Sequence, residues 1–108
     1  MHAVIRRWTG AAQLIEEMER RSQDVESVIA TTPGFIAYYA VRSADTLVSV
    51  TLCQDRESTE QTTERAKQWV RDNLPADAVS GGPPEIIEGN AFISFVSPQR
   101  ISLGAPAV

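Results

Sequence analysis

The chain has 108 residues, 43% of them apolar and 22% charged, and a formal net charge of −4. Those values describe one ordinary globular domain, and the acidic balance argues against the concentrated basic surface that nucleic acid requires. The lone cysteine excludes an internal disulfide; with no membrane-length apolar run and no secretory leader, a cytoplasmic protein without a membrane partner is expected.

His2 to Trp8, HAVIRRW, reads as a short strand ending at Thr9-Gly10. Period-two alternation sets Ala3, Ile5 and Arg7 on one face, and His2, Val4, Arg6 and Trp8 on the other. A strand carrying two arginines suits a sheet end or a polar cavity better than a dry core.

Ala11 to about Thr31 has the strongest helical pattern. Leu14, Ile15, Met18, Val25, Val28 and Ile29 recur at spacings of three, four and seven, which stacks them on one stripe. The stripe loses a member near Arg21-Ser22, where a kink is possible. Thr32-Pro33-Gly34 ends the helix, because proline disfavours helical geometry in the residue before it.

Phe35 to Asp55, FIAYYAVRSADTLVSVTLCQD, is the stretch that organises the chain. It predicts a β-hairpin around the polar segment Arg42 to Thr46. With a loop of two or four residues, Val41 faces Val48, Tyr39 faces Val50 and Ala37 faces Leu52. One face then holds Phe35, Ala37, Tyr39, Val41, Val48, Val50 and Leu52. The other holds Ile36, Tyr38, Ala40, Leu47, Ser49, Thr51 and Cys53. Neither face carries a charge, so both are expected to be covered. The first is assigned to the helices, and the second, with Tyr38 and Thr51, to the interior of a dimer barrel.

Asp55 or Ser58 can cap a second helix, whose inner face runs through Thr59, Thr63, Ala66, Val70 and Leu74 with Trp69 beside it. Asn73-Leu74-Pro75 closes it, and Pro75 to Pro84 reads as a mobile loop. Glu85 to Phe95 returns to strand character. Gly89-Asn90 marks either a bulge in one long strand or a tight turn splitting it. The domain is expected to span residues 1–95, with 96–108 as a C-terminal tail.

The order strand, helix, strand, strand, helix, strand predicts an α+β, ferredoxin-like plait. This is a four-stranded antiparallel sheet of order 4-1-3-2 with two helices on one face. An apolar second face should not be left against water, which predicts a second copy packed sheet to sheet.

Pro33-Gly34-Phe35 leading into a tyrosine-containing strand, Val48–Leu52 running to Asp55-Arg56-Glu57-Ser58, the helix with Trp69 and the late strand together resemble the dimeric α/β-barrel superfamily. The likeness is to its antibiotic-biosynthesis-monooxygenase branch, over roughly residues 2 to 95. The resemblance implies a homodimer and a cavity between sheet and helices or within the barrel. For an enzyme it implies cofactor-independent oxygenation of a small phenolic or aromatic substrate, with no cofactor. The haem-binding branches use a histidine late in the chain and, for haem degradation, an asparagine in the first strand. This chain has only His2, and its first strand has no asparagine. Asn73, Trp69, Tyr38 and Arg6 match the residue types of the oxygenases, but no motif fixes their places, so none is assigned a catalytic role.

The candidate ligand-binding residues are Arg6, Tyr38, Thr51 and Trp69. A guanidinium facing a cavity demands an anion, unless it snorkels to a sheet edge. A buried tyrosine hydroxyl needs a partner, which Ser49 or Thr51 could supply as well as a ligand. Trp69 suits a cavity wall or core, His2 an exposed end, and Cys53 a packing site. No metal cluster, nucleophilic triad or phosphate loop is present. The open alternatives are a small-molecule-binding protein or oxygenase, a non-catalytic dimeric module, and an interaction subunit that uses its tail.

Overall fold

The hairpin pairs in the expected register. In a computed structural model that describes residues 1–97, β2 (Phe35–Ser43) and β3 (Thr46–Cys53) are antiparallel, with Val41 opposite Val48, Tyr39 opposite Val50 and Ala37 opposite Leu52. A bulge at Ile36 then lets Phe35 pair with Cys53, which moves the Phe35 side chain to the opposite face from Ala37. Gly34, at φ +83°, makes the turn into this strand, a conformation that strains any residue with a Cβ.

β3 also pairs with β1 (His2–Trp8), and β1 pairs with β4 (Glu85–Asn90), all antiparallel. The sheet order is β2-β3-β1-β4, the ferredoxin-like order expected for this α+β chain. Strand β4 is shorter than its sequence suggested. The Ala91 N–H donates to the Met1 carbonyl at 2.9 Å. Residues 91–97 continue without regular structure, neither bulged strand nor hairpin. Of the expected tail, Pro98 onward lies outside the described residues.

The first helical segment is two helices, α1 (Ala12–Arg20) and α2 (Ser22–Ala30). The break falls where the apolar stripe lapses: Arg21 sits at φ −120°, ψ 39°. Its side chain ties the joint together, ion-pairing with Glu17 at 3.6 Å and Asp24 at 3.1 Å and reaching across to Asn73. α3 (Arg56–Asn73) is capped by Asp55 rather than Ser58, since the Ser58 N–H donates to the Asp55 carboxylate at 2.8 Å. The 75–84 loop is pinned: the Ser80 N–H donates to the Gly10 carbonyl at 3.0 Å, and Ala78 is buried.

One assignment is reversed. The residues of β3 that lie beneath the helices are Leu47, Ser49, Thr51 and Cys53, all buried, while Val48, Val50 and Leu52 are only partly covered. Tyr38 pairs with Thr51 and shares its face, so it too lies on the helix side and not toward a barrel interior. Hairpin alternation sorts side chains into two sets, but the handedness of the strand–helix–strand crossovers decides which set the helices cover. The face left open is the more uniformly apolar one, with Ile5, Tyr39, Val41 and Ile87 between 37% and 70% exposed.

The packed core is confined to one end. Ala11, Leu14, Ile15 and Leu47 are buried together, with Trp8, Met18, Val70, Leu74 and Val79 against them. Elsewhere several of the residues buried between sheet and helices are small, Ser49 and Thr51 on the sheet and Thr59 and Thr62 on α3. Such residues cannot fill the space between the layers.

Candidate functional site

That unfilled space is a cavity of about 810 Å³ between the inner sheet face and helices α2 and α3. Its floor is Val4, Arg6 and Trp8 of β1, Ser49 and Thr51 of β3, and Tyr38 of β2. Its roof is α3, from Thr59 through Thr63 and Ala66 to Trp69 and Val70. Val25, Val28 and Ile29 of α2 close one side, and Ile86 and Glu88 of β4 stand at the other. All four ligand-binding candidates, Arg6, Tyr38, Thr51 and Trp69, line this one cavity.

The threonines of α3 explain how a polar helix face makes an apolar roof. The hydroxyls of Thr59, Thr62 and Thr63 donate to backbone carbonyls of their own helix, at 2.7, 2.9 and 2.8 Å. With each hydroxyl proton used within the helix, these groups offer the sheet an acceptor but no donor.

Arg6 is the exception in this wall. β1 is an interior strand, so the side chain cannot reach a sheet edge; it crosses to α3 and donates to the Thr63 hydroxyl. No described carboxylate lies within ion-pairing distance of it. Burial pushes its guanidinium below the ordinary value, against the opposing pull of Glu88 and Tyr38. Burial likewise pushes the Tyr38 phenol above its ordinary value, with the neighbouring Ser49 hydroxyl and Arg6 acting the other way. A cation and a neutral phenol thus share the floor.

Trp69 is 9% exposed and lies beneath Arg21, whose guanidinium carbon is 5.8 Å from the ring centroid. The joint between α1 and α2 therefore bears on the cavity wall. His2 is not an exposed end: its side chain is 15% exposed, 3.8 Å from Glu88, and its buried Nε2 has no hydrogen-bond partner. Cys53 packs beneath α3, with its Sγ 3.7 Å from Thr62 Oγ1. The sequence placed Thr63 on the inner helix face, but neither it nor Glu88 was a ligand-binding candidate. Both were open to the alternation and helix-stripe arguments, but their relation to Arg6 depends on the β1–β4 register and on where α3 crosses the sheet.

Among the described residues no cluster of three or more metal-ligating side chains forms, and no helix is long and apolar enough to cross a membrane. No family model matches the sequence, and no curated protein does. Solved structures do. A monooxygenase encoded by ActVA-Orf6 of Streptomyces coelicolor, determined with nanaomycin D, superposes with a TM-score of 0.62 at 16% identity, covering 89% of this chain and 91% of that one. The fold is that of the antibiotic-biosynthesis-monooxygenase-like proteins. Another of this fold, SnoaB of Streptomyces nogalater, a cofactor-independent oxygenase, gives a TM-score of 0.59 at 16% identity over 91% of this chain and 97% of its own. An arginine-to-serine mutant of MhuD, determined with two manganese protoporphyrin IX molecules per active site, gives 0.65 at 14% identity over 90% of this chain and 100% of its own. Two of these structures were thus determined with ligands of different chemistry.

Proposed function

We propose that this protein binds a small aromatic molecule in the cavity between sheet and helices, with an anionic or ionisable oxygen of the ligand against Arg6. The observation that carries the reading is the isolation of that guanidinium. A half-buried cation with no ion-pair partner among the described residues loses hydration that one threonine hydroxyl does not restore. An anionic ligand restores it. Trp8 and Trp69 offer flat apolar surfaces to a ring, and the Tyr38 hydroxyl offers a second polar contact.

The chemistry favoured by this arrangement is cofactor-independent oxygenation of an electron-rich phenol. Arg6 would stabilise the phenolate, which gives up an electron to dioxygen more readily than the neutral phenol does. The likeness to SnoaB supports this choice at the level of fold.

The working form we infer is a homodimer built through the open sheet face. Two observations support it. That face carries the exposed apolar side chains of Ile5, Tyr39, Val41 and Ile87, and the following segment exposes Phe92, Ile93, Phe95 and Val96 by 69–89%. A second copy covers such surfaces without altering the cavity, which opens on the opposite side of the sheet.

Titration with 2-naphthoate, followed by quenching of tryptophan fluorescence, tests the binding reading. Saturable quenching that is lost in Arg6→Ala is expected; equal affinity in the variant overturns it. Oxygen uptake with a dihydroxynaphthalene tests the chemistry separately. Binding without uptake removes the oxygenase and leaves the binding protein.

A further inference from the structure

Strand β4 brings a second charge to the cavity. Its register against β1 places Ile86 beside Arg6 and Glu88 beside Val4, so Glu88 is the diagonal neighbour of Arg6 on the same face. Diagonal pairs across antiparallel strands lie roughly 7–8 Å apart, within reach of two long side chains. Arg6 and Glu88 nevertheless form no ion pair. Arg6 turns to Thr63 on α3, while Glu88 lies 3.4 Å from Arg56 and 3.8 Å from His2.

The Glu88 side chain is 40% exposed, and both of these ion pairs are long. Neither oxygen accepts a hydrogen bond from a described residue, Arg56 is a mostly exposed side chain that it shares with Glu60 at 3.2 Å, and His2 Nε2 is itself buried without a partner. An exposed pair of this kind contributes little. The result is a cavity whose two opposite charges stand side by side with a gap between them. A carboxylate beside that gap can accept from a ligand as readily as the guanidinium can donate to one.

We propose that Glu88 is the second recognition group of this cavity, selecting aromatic ligands that carry a hydrogen-bond donor, a hydroxyl or an ammonium, in addition to the anionic group held by Arg6. The inference rests on the binding reading above. The donor meets Glu88 on β4, and the anionic group meets Arg6 and Tyr38 on the floor.

The test compares 2-naphthoate with 6-hydroxy-2-naphthoate by tryptophan quenching, in the wild-type protein, Glu88→Ala and the isosteric Glu88→Gln. The wild type should prefer the hydroxylated probe by about tenfold, the scale of one charge-assisted hydrogen bond. Glu88→Ala should abolish the preference while holding or improving affinity for 2-naphthoate, since it removes a nearby negative charge. Glu88→Gln, which keeps an acceptor without the charge, should retain part of the preference and serves if the alanine variant does not fold. Equal binding of the two probes by the wild type, or a preference unchanged in both variants, overturns the assignment of Glu88 alone. Failure of both probes to quench the wild type overturns the binding reading and this inference with it.

Discussion

Tyr39→Asp gives the sharpest test of the dimer, because Tyr39 lies on the open sheet face, opposite Val50, and is 54% exposed. If a second copy covers that face, the substitution forfeits burial of about half a large aromatic side chain, roughly 1 kcal/mol by area. It also requires desolvation of a carboxylate, which adds at least another 1 kcal/mol or so, and several if no cation meets it. A two-fold interface contains every change twice. Association should therefore weaken by about 4 kcal/mol or more, roughly 1,000-fold in Kd. Aspartate in a strand costs the isolated fold only about 1 kcal/mol, so the variant should remain folded by circular dichroism. Sedimentation velocity at micromolar concentration should show the wild type at twice 11.8 kDa and Tyr39→Asp at 11.8 kDa. Tyr38→Phe, one residue away but on the cavity side, should leave association untouched. A folded wild-type monomer, or a Tyr39→Asp variant that stays dimeric, would refute the argument from the apolar face.

Replacing Arg6 with methionine removes the unpaired cation but keeps a long apolar stem. Stability without ligand should hold or rise despite the loss of the Thr63 hydrogen bond, worth about 1 kcal/mol, whereas 2-naphthoate affinity should fall by roughly 10- to 100-fold. Thermal melts and quenching titrations read the two effects apart, and a less stable variant with normal affinity would contradict both expectations. Tyr38 predicts an alkaline signature. Its phenol is raised in the folded state, so its contribution is complete below the ordinary tyrosine value and is lost as pH rises through the folded one. Tyr38→Phe should flatten that alkaline loss, and parallel melting curves for the two proteins would remove this account. Asp55 predicts the opposite limb. The Ser58 backbone N–H holds its carboxyl below the ordinary value, so the cap stabilises above the usual carboxylate range and fails as pH falls through the depressed value. Asp55→Ala should melt lower at neutral pH, with the gap closing in acid; a gap that persists there would assign the effect to something other than the charge.

The cavity floor shows how much of a site alternation alone can assemble. His2, Val4, Arg6 and Trp8 share a face because strands repeat every two residues, and Tyr38 joins Thr51 because the hairpin loop length sets their pairing. Thr63 and Glu88 could not be joined to Arg6 in this way. Thr63 reaches it from a helix 57 residues away in sequence, and Glu88 from a strand whose register against β1 is set only when the sheet is complete.

Period and punctuation by themselves determined the element types, the hairpin register and the sheet order. Each of these follows from local sterics, side-chain alternation and the few topologies open to two split strand–helix–strand units. The break at Arg21 was visible as a gap in an apolar stripe, although its side-chain bond to Asn73 at the end of α3 was not. Tertiary structure alone decided the sidedness of the sheet. Nothing local to residues 35–53 distinguishes the face of Val48 and Val50 from the face of Ser49 and Thr51 as the helix-bearing one. Crossover handedness made that choice and set small hydroxyl residues under the helices, and the volume they leave unfilled is the cavity.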